Sequence, residues 1–113
     1  MKKKNLKCYN SGRISGLSYL EAYNNFRRAD IEIAGMGLVP VNPIMLGLKP
    51  SRPYWMHIIT DILLLARCGH IYLQRNWMSS RGARIEFRVA KFLGIPMWFQ
   101  ENPGEENKVI KKK

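Results

Sequence analysis

The sequence is poor in the residues that build covalent and metal scaffolds. Its 113 residues include two cysteines, Cys8 and Cys68, which lie far apart and outside any metal-ligand spacing. Each sits in an apolar stretch, so buried reduced thiols are expected. A disulfide-stapled or zinc-organised architecture is excluded. Long apolar runs are also missing. The richest, Ile58 to Ala66, is broken by Thr60 and Asp61 and falls well short of the about 20 residues that span a bilayer. The basic start MKKKNLKCYN is not followed by an apolar segment of signal-peptide length. A cytoplasmic soluble protein with no membrane partner is the expectation. Acidic residues are scarce: eight Asp and Glu stand against nineteen Lys and Arg, for a formal net charge of +11.

What is present is core material. The chain is 46% hydrophobic, with three Trp, five Tyr and four Phe, enough apolar surface to offset the entropy of ordering one domain. The charge is unevenly spread. Lys2, Lys3, Lys4 and Lys7 crowd the start, and Lys108, Lys111, Lys112 and Lys113 crowd the end. Removing those eight from +11 leaves +3 for the body. The basicity reads as solubilising tails around a folded part of about residues 5–100. Attraction of the tails to nucleic acid is a disfavoured alternative, because no basic surface interleaved with aromatics is legible.

Periodicity gives the order β-α-β-α-β-α-β. LKCYN is a short strand closed by the turn signal Asn10-Ser11-Gly12. Ser18 with Glu21 forms a capping box, followed by Leu20, Tyr23, Phe26, Ala29 and Ile33 at helical steps. Gly35 and Gly37 end that helix. LVPVNP is the second strand, and YWMHIITDILLLARC is a helix closed by Gly69. HIYLQ, RGARIEFRVAKFLG and IPMWF follow as strand, helix and strand, and the polar remainder QENPGEENKVIKKK reads as a loose tail. Such alternation predicts parallel strands with right-handed crossovers. The expected fold is a three-layer α/β/α sandwich with a flavodoxin-like sheet of about four strands in the order 2-1-3-4. Ligands bind such sheets at the carboxyl ends of the strands flanking the switch point. The loops there are YNSGRISG and RNWMSSRG, the two oddest stretches in the chain.

These loops carry the candidate chemistry. Ser80 can cap the helix that follows, whose free N–H groups favour an anion. Gly82 lets a ligand approach the backbone, and Glu86 lies in the second turn, able to face the same cleft. A phosphate at Ser80 would then sit about one sugar length from Glu86. The alternative is that Ser80 is only a cap and Glu86 only a surface residue paired with an arginine. Asp61 is the sole carboxylate of an otherwise apolar helix, where an unpaired charge is costly. It either pairs with His57 on the same face or lies beside Glu86 as a second carboxylate. Two carboxylates at a glycosidic bond are the equipment for its cleavage. Trp77 could stack a base or serve packing.

Tyr9-x-x-Gly12-x-Ile14-x-Gly16, then Asp61, then Ser80-x-Gly82-x-x-x-Glu86 resembles the nucleoside 2-deoxyribosyltransferase superfamily, over about residues 6–99. Within it the pattern is closest to the 2'-deoxynucleoside 5'-monophosphate N-glycosidases and to short deoxyribosyltransferase-like bacterial and phage proteins. The resemblance implies that Glu86 attacks C1' of the sugar and that Tyr9 orients it. It implies that Asp61 assists base departure. Ser80 would hold the 5'-phosphate with Gly12, Arg13, Ile14 and Gly16. Gly69 departs from the family, which carries an acid where the third strand begins. The resemblance implies no metal and no cofactor, a nucleoside or nucleotide substrate, and a homodimer in which a residue beyond the last strand is shared, with Asn102 as the candidate. The exposed apolar faces of the helix Tyr54–Cys68 also favour a dimer. A noncatalytic nucleotide-binding or sensing module is the alternative function.

Overall fold

The computed structural model describes residues 5–46, 54–101 and 109–112. The elements are β1 (Lys7–Ser11), α1 (Tyr19–Gly35), β2 (Val39–Val41), a 3₁₀ turn (Pro43–Leu46), α2 (Tyr54–Ala66), β3 (His70–Leu73), a second 3₁₀ turn (Trp77–Ser79), α3 (Arg81–Leu93), β4 (Met97–Gln100) and β5 (Val109–Lys112). The sheet order is β2-β1-β3-β4-β5. The first four strands are parallel, with Cys8 opposite Pro40 and His70, and Tyr72 opposite Trp98. This is the expected 2-1-3-4 arrangement of a flavodoxin-like α/β fold.

The tail departs from expectation. Val109–Lys112 is a strand antiparallel to β4, with Phe99 opposite Ile110. The lysines suggested a solvated tail, but Val109 and Ile110 are β-branched, and β4 would otherwise present an unpaired edge. Asn102 and the loop around Gly47 and Pro50 lie outside the described residues.

Side-chain alternation on β1 and β3 sorts the core into two layers. Tyr9, Ile71 and Leu73 pack with Leu65 and Ala90 from α2 and α3. Cys8 and Tyr72 face the other way, onto Ala29 and Ile33 of α1. The helix α1 therefore covers one face, and α2 and α3 lie side by side on the other. A third cluster joins Ile14 and Leu17 of the first loop to Ala22, Phe26 and Ile44. Leu20, placed on the buried stripe by its spacing, is exposed; Ala22 takes its place. Ser18 Oγ accepts from the Glu21 N–H, and Gly94 ends α3 in the left-handed conformation at φ 71°. Both cysteines are free and buried, and burial pushes the Cys68 thiol up to about 11. Among the described residues, no helix is long and apolar enough to cross a membrane.

Candidate active site

Strand geometry places Tyr9 and Ser11 on the same face of β1, two residues apart. On α3, Ala83, Glu86 and Ala90 face the sheet, all buried. The two alanines let the helix approach closely, so Glu86 reaches across to β1. There Tyr9 Oη donates to Glu86 Oε2 at 2.8 Å and Ser11 Oγ donates to Glu86 Oε1 at 2.7 Å. Each carboxylate oxygen thus has its own hydroxyl donor. Glu86 is 5% exposed. Sequence reasoning identified Tyr9 and Glu86 as partners. It missed Ser11, although the period of two shared with Tyr9 was the available signal.

Asp61 of α2 completes the pair, its carboxyl within hydrogen-bonding reach of Glu86. Burial raises both carboxyls, Asp61 to about 6 and Glu86 to about 8. The His57 charge opposes the rise at Asp61, so His57 and the second carboxylate are both neighbours of Asp61. For Glu86, the Ser11 and Tyr9 hydroxyls oppose the rise while Asp61 adds to it. Two carboxyls this close titrate as a coupled pair, each disfavouring ionisation of the other. Burial also raises Tyr9 well above the ordinary tyrosine value, which keeps its hydroxyl protonated and able to donate.

The pair opens into a cleft of about 710 Å³, a volume in the range of small-molecule sites. Tyr9, Gly12, Arg13, Ile14, Gly16, Asp61, Ser80, Gly82 and Glu86 all line it, so nine of the ten residues singled out from the sequence converge. Ser80 caps α3, its Oγ accepting from the Ala83 N–H at 3.1 Å; cap and cleft residue are one role. The first loop is tied down from inside. The Arg13 N–H donates to Asn76 Oδ1, joining it to the loop after β3, and Arg13 Nε donates to the Ser15 carbonyl. Gly16 has φ +84°, and its missing Cβ leaves room for the Arg13 guanidinium.

Trp77 does not belong to the cleft. Its ring stacks on Phe87 with centroids 4.7 Å apart and tilts against Phe99 at 5.9 Å. It seals the outer flank of α3, because the second 3₁₀ turn points it toward β4. Of the two roles open to Trp77, these contacts support packing. At Gly69, a Cβ would fall on the Asn5 backbone, so the chain's path across the start of β3 leaves no room for an acid there.

A buried polar network beneath the first loop was also not legible. Gln74 Nε2 donates to Asn10 Oδ1 at 2.7 Å, and Asn10 Nδ2 donates to the Phe26 carbonyl and to Asp30 Oδ1. Asn42 Nδ2 donates to Asp30 Oδ2. The network links the ends of β1, β2 and β3 and anchors the cleft floor. Gly12 is part of it, since a Cβ there would fall on the Gln74 side chain. Among the described residues, no group of three His, Cys, Asp or Glu side chains is arranged to hold a metal ion.

Fold and site together define a flavodoxin-like α/β protein with a buried Glu86 beside a half-buried Asp61 at the carboxyl end of its sheet. Residues 6–99 match the family described as Domain of unknown function (DUF4406), and the chain belongs to that family. No curated protein and no solved structure gives a significant match.

Proposed function

We propose that the protein cleaves the N-glycosidic bond of a nucleoside or nucleotide, a deoxyribonucleoside 5'-monophosphate fitting best, with Glu86 as nucleophile. The observation that carries this reading is the Glu86 carboxylate itself. It is buried at the cleft wall, fixed at both oxygens by Tyr9 and Ser11, and beside a second carboxyl, Asp61. The sequence resemblance to the deoxyribosyltransferase superfamily supports it.

The chemistry follows from the pair. Glu86 must be anionic to attack C1', while the departing base needs a proton. A single proton on the pair, passed from Glu86 to Asp61, supplies both. Asp61 then donates to the leaving nitrogen as the glycosyl ester forms on Glu86. Water releases the sugar in hydrolysis, and a second base accepts it in transfer. The free N–H groups at the start of α3 and the Gly12–Gly16 backbone offer donors for a phosphate, which orients C1' toward Glu86.

A second reading, a nucleotide-binding or sensing module without turnover, is favoured by one observation: the rise of Glu86 to about 8 favours its neutral, non-nucleophilic form near neutrality. Incubation with each deoxynucleoside 5'-monophosphate, reading free base by chromatography, separates the two. The N-glycosidase reading predicts release by the wild type and none by Glu86→Ala. Saturable binding without release would favour the module.

A further inference from the structure

Attack on C1' needs an anionic Glu86, and burial works against the anion. Something must oppose burial if this residue is to be a nucleophile. Two hydroxyls reach its carboxylate, one on each oxygen. Tyr9 has a part in the sequence resemblance; Ser11 has none assigned to it.

Ser11 is the last residue of β1 and is 1% exposed. Its backbone lies opposite Leu73 of β3, and its carbonyl accepts from the Gln74 N–H at 2.9 Å. Next to it, Gly12 leaves no room for a Cβ beside the Gln74 side chain. A backbone held on both sides leaves the serine a single torsion with which to place Oγ. That atom donates to Glu86 Oε1 at 2.7 Å, within the range of a hydroxyl bonded to a charged oxygen, whereas the Tyr9 bond at 2.8 Å is slightly longer. A charge-assisted bond is roughly twice as strong as a neutral one, so a donor fixed here favours the carboxylate over the acid. The Ser11 bond is the largest influence that opposes burial at Glu86, ahead of the Tyr9 bond. The other titratable groups around this carboxyl are Tyr9 on β1 and Asp61 on α2, with His57 acting on Asp61. Arg13 of the first loop and Arg81 of α3 line the same cleft. Asp61 works against the Glu86 anion, and Tyr9 works with Ser11.

We infer that Ser11 is a positioning residue for the nucleophile: its hydroxyl pins Glu86 Oε1 and favours the charged carboxylate that attacks C1' over the neutral acid. Ser11 stands behind the residues that line the cleft, so it acts through Glu86 and not on the substrate. In the attack, an electron pair of Glu86 forms the bond to C1' and the C1'–N bond breaks. The leaving nitrogen keeps that bond's electron pair and takes the Asp61 proton, while Ser11 keeps its own proton throughout. The effect on rate rests on the N-glycosidase reading; the effect on the charge of Glu86 holds for a binding module as well.

The test is an NMR titration of protein carrying glutamate labelled at its carboxyl carbon, with the Glu86 signal assigned by its absence from Glu86→Gln. Wild type, Ser11→Ala and Ser11→Cys are compared, and the pH profile of base release is measured beside them. Wild-type Glu86 should titrate at about 8. Ser11→Ala should titrate about one pH unit higher. Ser11→Cys, with a similar shape and a weaker donor, should fall between. At neutral pH, kcat should drop about ten-fold in Ser11→Ala, with KM nearly unchanged and the loss shrinking as pH rises past both titrations. A Glu86 titration unmoved in both variants would overturn the inference. So would a loss of release that is equal at every pH, which marks a merely structural serine. Base release by the wild type with an unmoved titration would remove this inference alone. A shifted titration with no base released even by the wild type would remove the N-glycosidase reading and leave Ser11 as the residue that sets the charge of Glu86.

Discussion

Replacing Glu86 by Gln keeps the shape of the side chain and removes its ability to ionise. Tyr9 and Ser11 can rotate their hydroxyls to serve an amide as well as a carboxylate, so the packing survives. The consequence should appear in stability against pH. Glu86 rises from an ordinary 4.5 to about 8 in the folded protein, mainly through burial. The folded state therefore holds a proton that the unfolded chain has already released. Stability from this group is fully present below pH 4.5 and is lost as pH rises through about 8. At about 1.4 kcal/mol per pH unit, the interval corresponds to at most about 5 kcal/mol, a large part of the roughly 5–15 kcal/mol that keeps a domain folded. Coupling to Asp61 divides that quantity, so a difference of a few kcal/mol is expected. Urea unfolding followed by tryptophan fluorescence at pH 5, 7 and 9 measures it. Wild type and Glu86→Gln should be nearly equal at pH 5, and the variant should be the more stable by a few kcal/mol at pH 9. A difference that does not change with pH, or a wild type that gains on the variant as pH rises, would refute the assignment of a buried, proton-holding carboxyl.

Three further outcomes follow from the packing. Gly12→Ala puts a methyl against the buried Gln74 side chain and should cost about 1–3 kcal/mol in the same unfolding assay, with weakened nucleotide binding as the first loop shifts. Trp77→Ala removes a ring from the Phe87–Phe99 stack and should cost about 3 kcal/mol while leaving the order of preference among bases unaltered; a changed preference would return Trp77 to the cleft. Trp55 and Leu63 are 61% and 60% exposed and share an outer stripe of α2 with Ile59, which we propose as the seat of a second copy of the chain. Sedimentation at micromolar concentration should show a dimer that Trp55→Ser/Leu63→Ser converts to monomer, and a monomeric wild type would contradict the proposal.

The fold was legible because its signals were local and consistent. Ser18, Gly35 and Gly94 punctuate helices, and apolar spacing on α1 and α3 has a helical period. The site was legible where fold rules apply, because the loops after β1 and β3 must meet at the switch point. What escaped were relations that depend on side-chain direction. Ser11 looked like a turn residue, yet its place two residues after Tyr9 turns it toward Glu86. Trp77 was ambiguous because an aromatic in a loop has no periodicity to orient it. Asn10, Asp30, Asn42 and Gln74 come from four separate segments, and only the tertiary fold brings them together. β5 was hidden by its lysines, since an edge strand with charged residues has the composition of a tail.

The central claim is that Glu86 forms a glycosyl ester during cleavage of an N-glycosidic bond. The most direct test is to quench the wild-type protein during incubation with its best deoxynucleoside monophosphate and weigh both the intact chain and its tryptic peptides. The account predicts free base in solution and a sugar-phosphate adduct on the peptide Ile85–Arg88, absent from Glu86→Gln. Base release that proceeds undiminished in Glu86→Gln, or an adduct on any other residue, would contradict it.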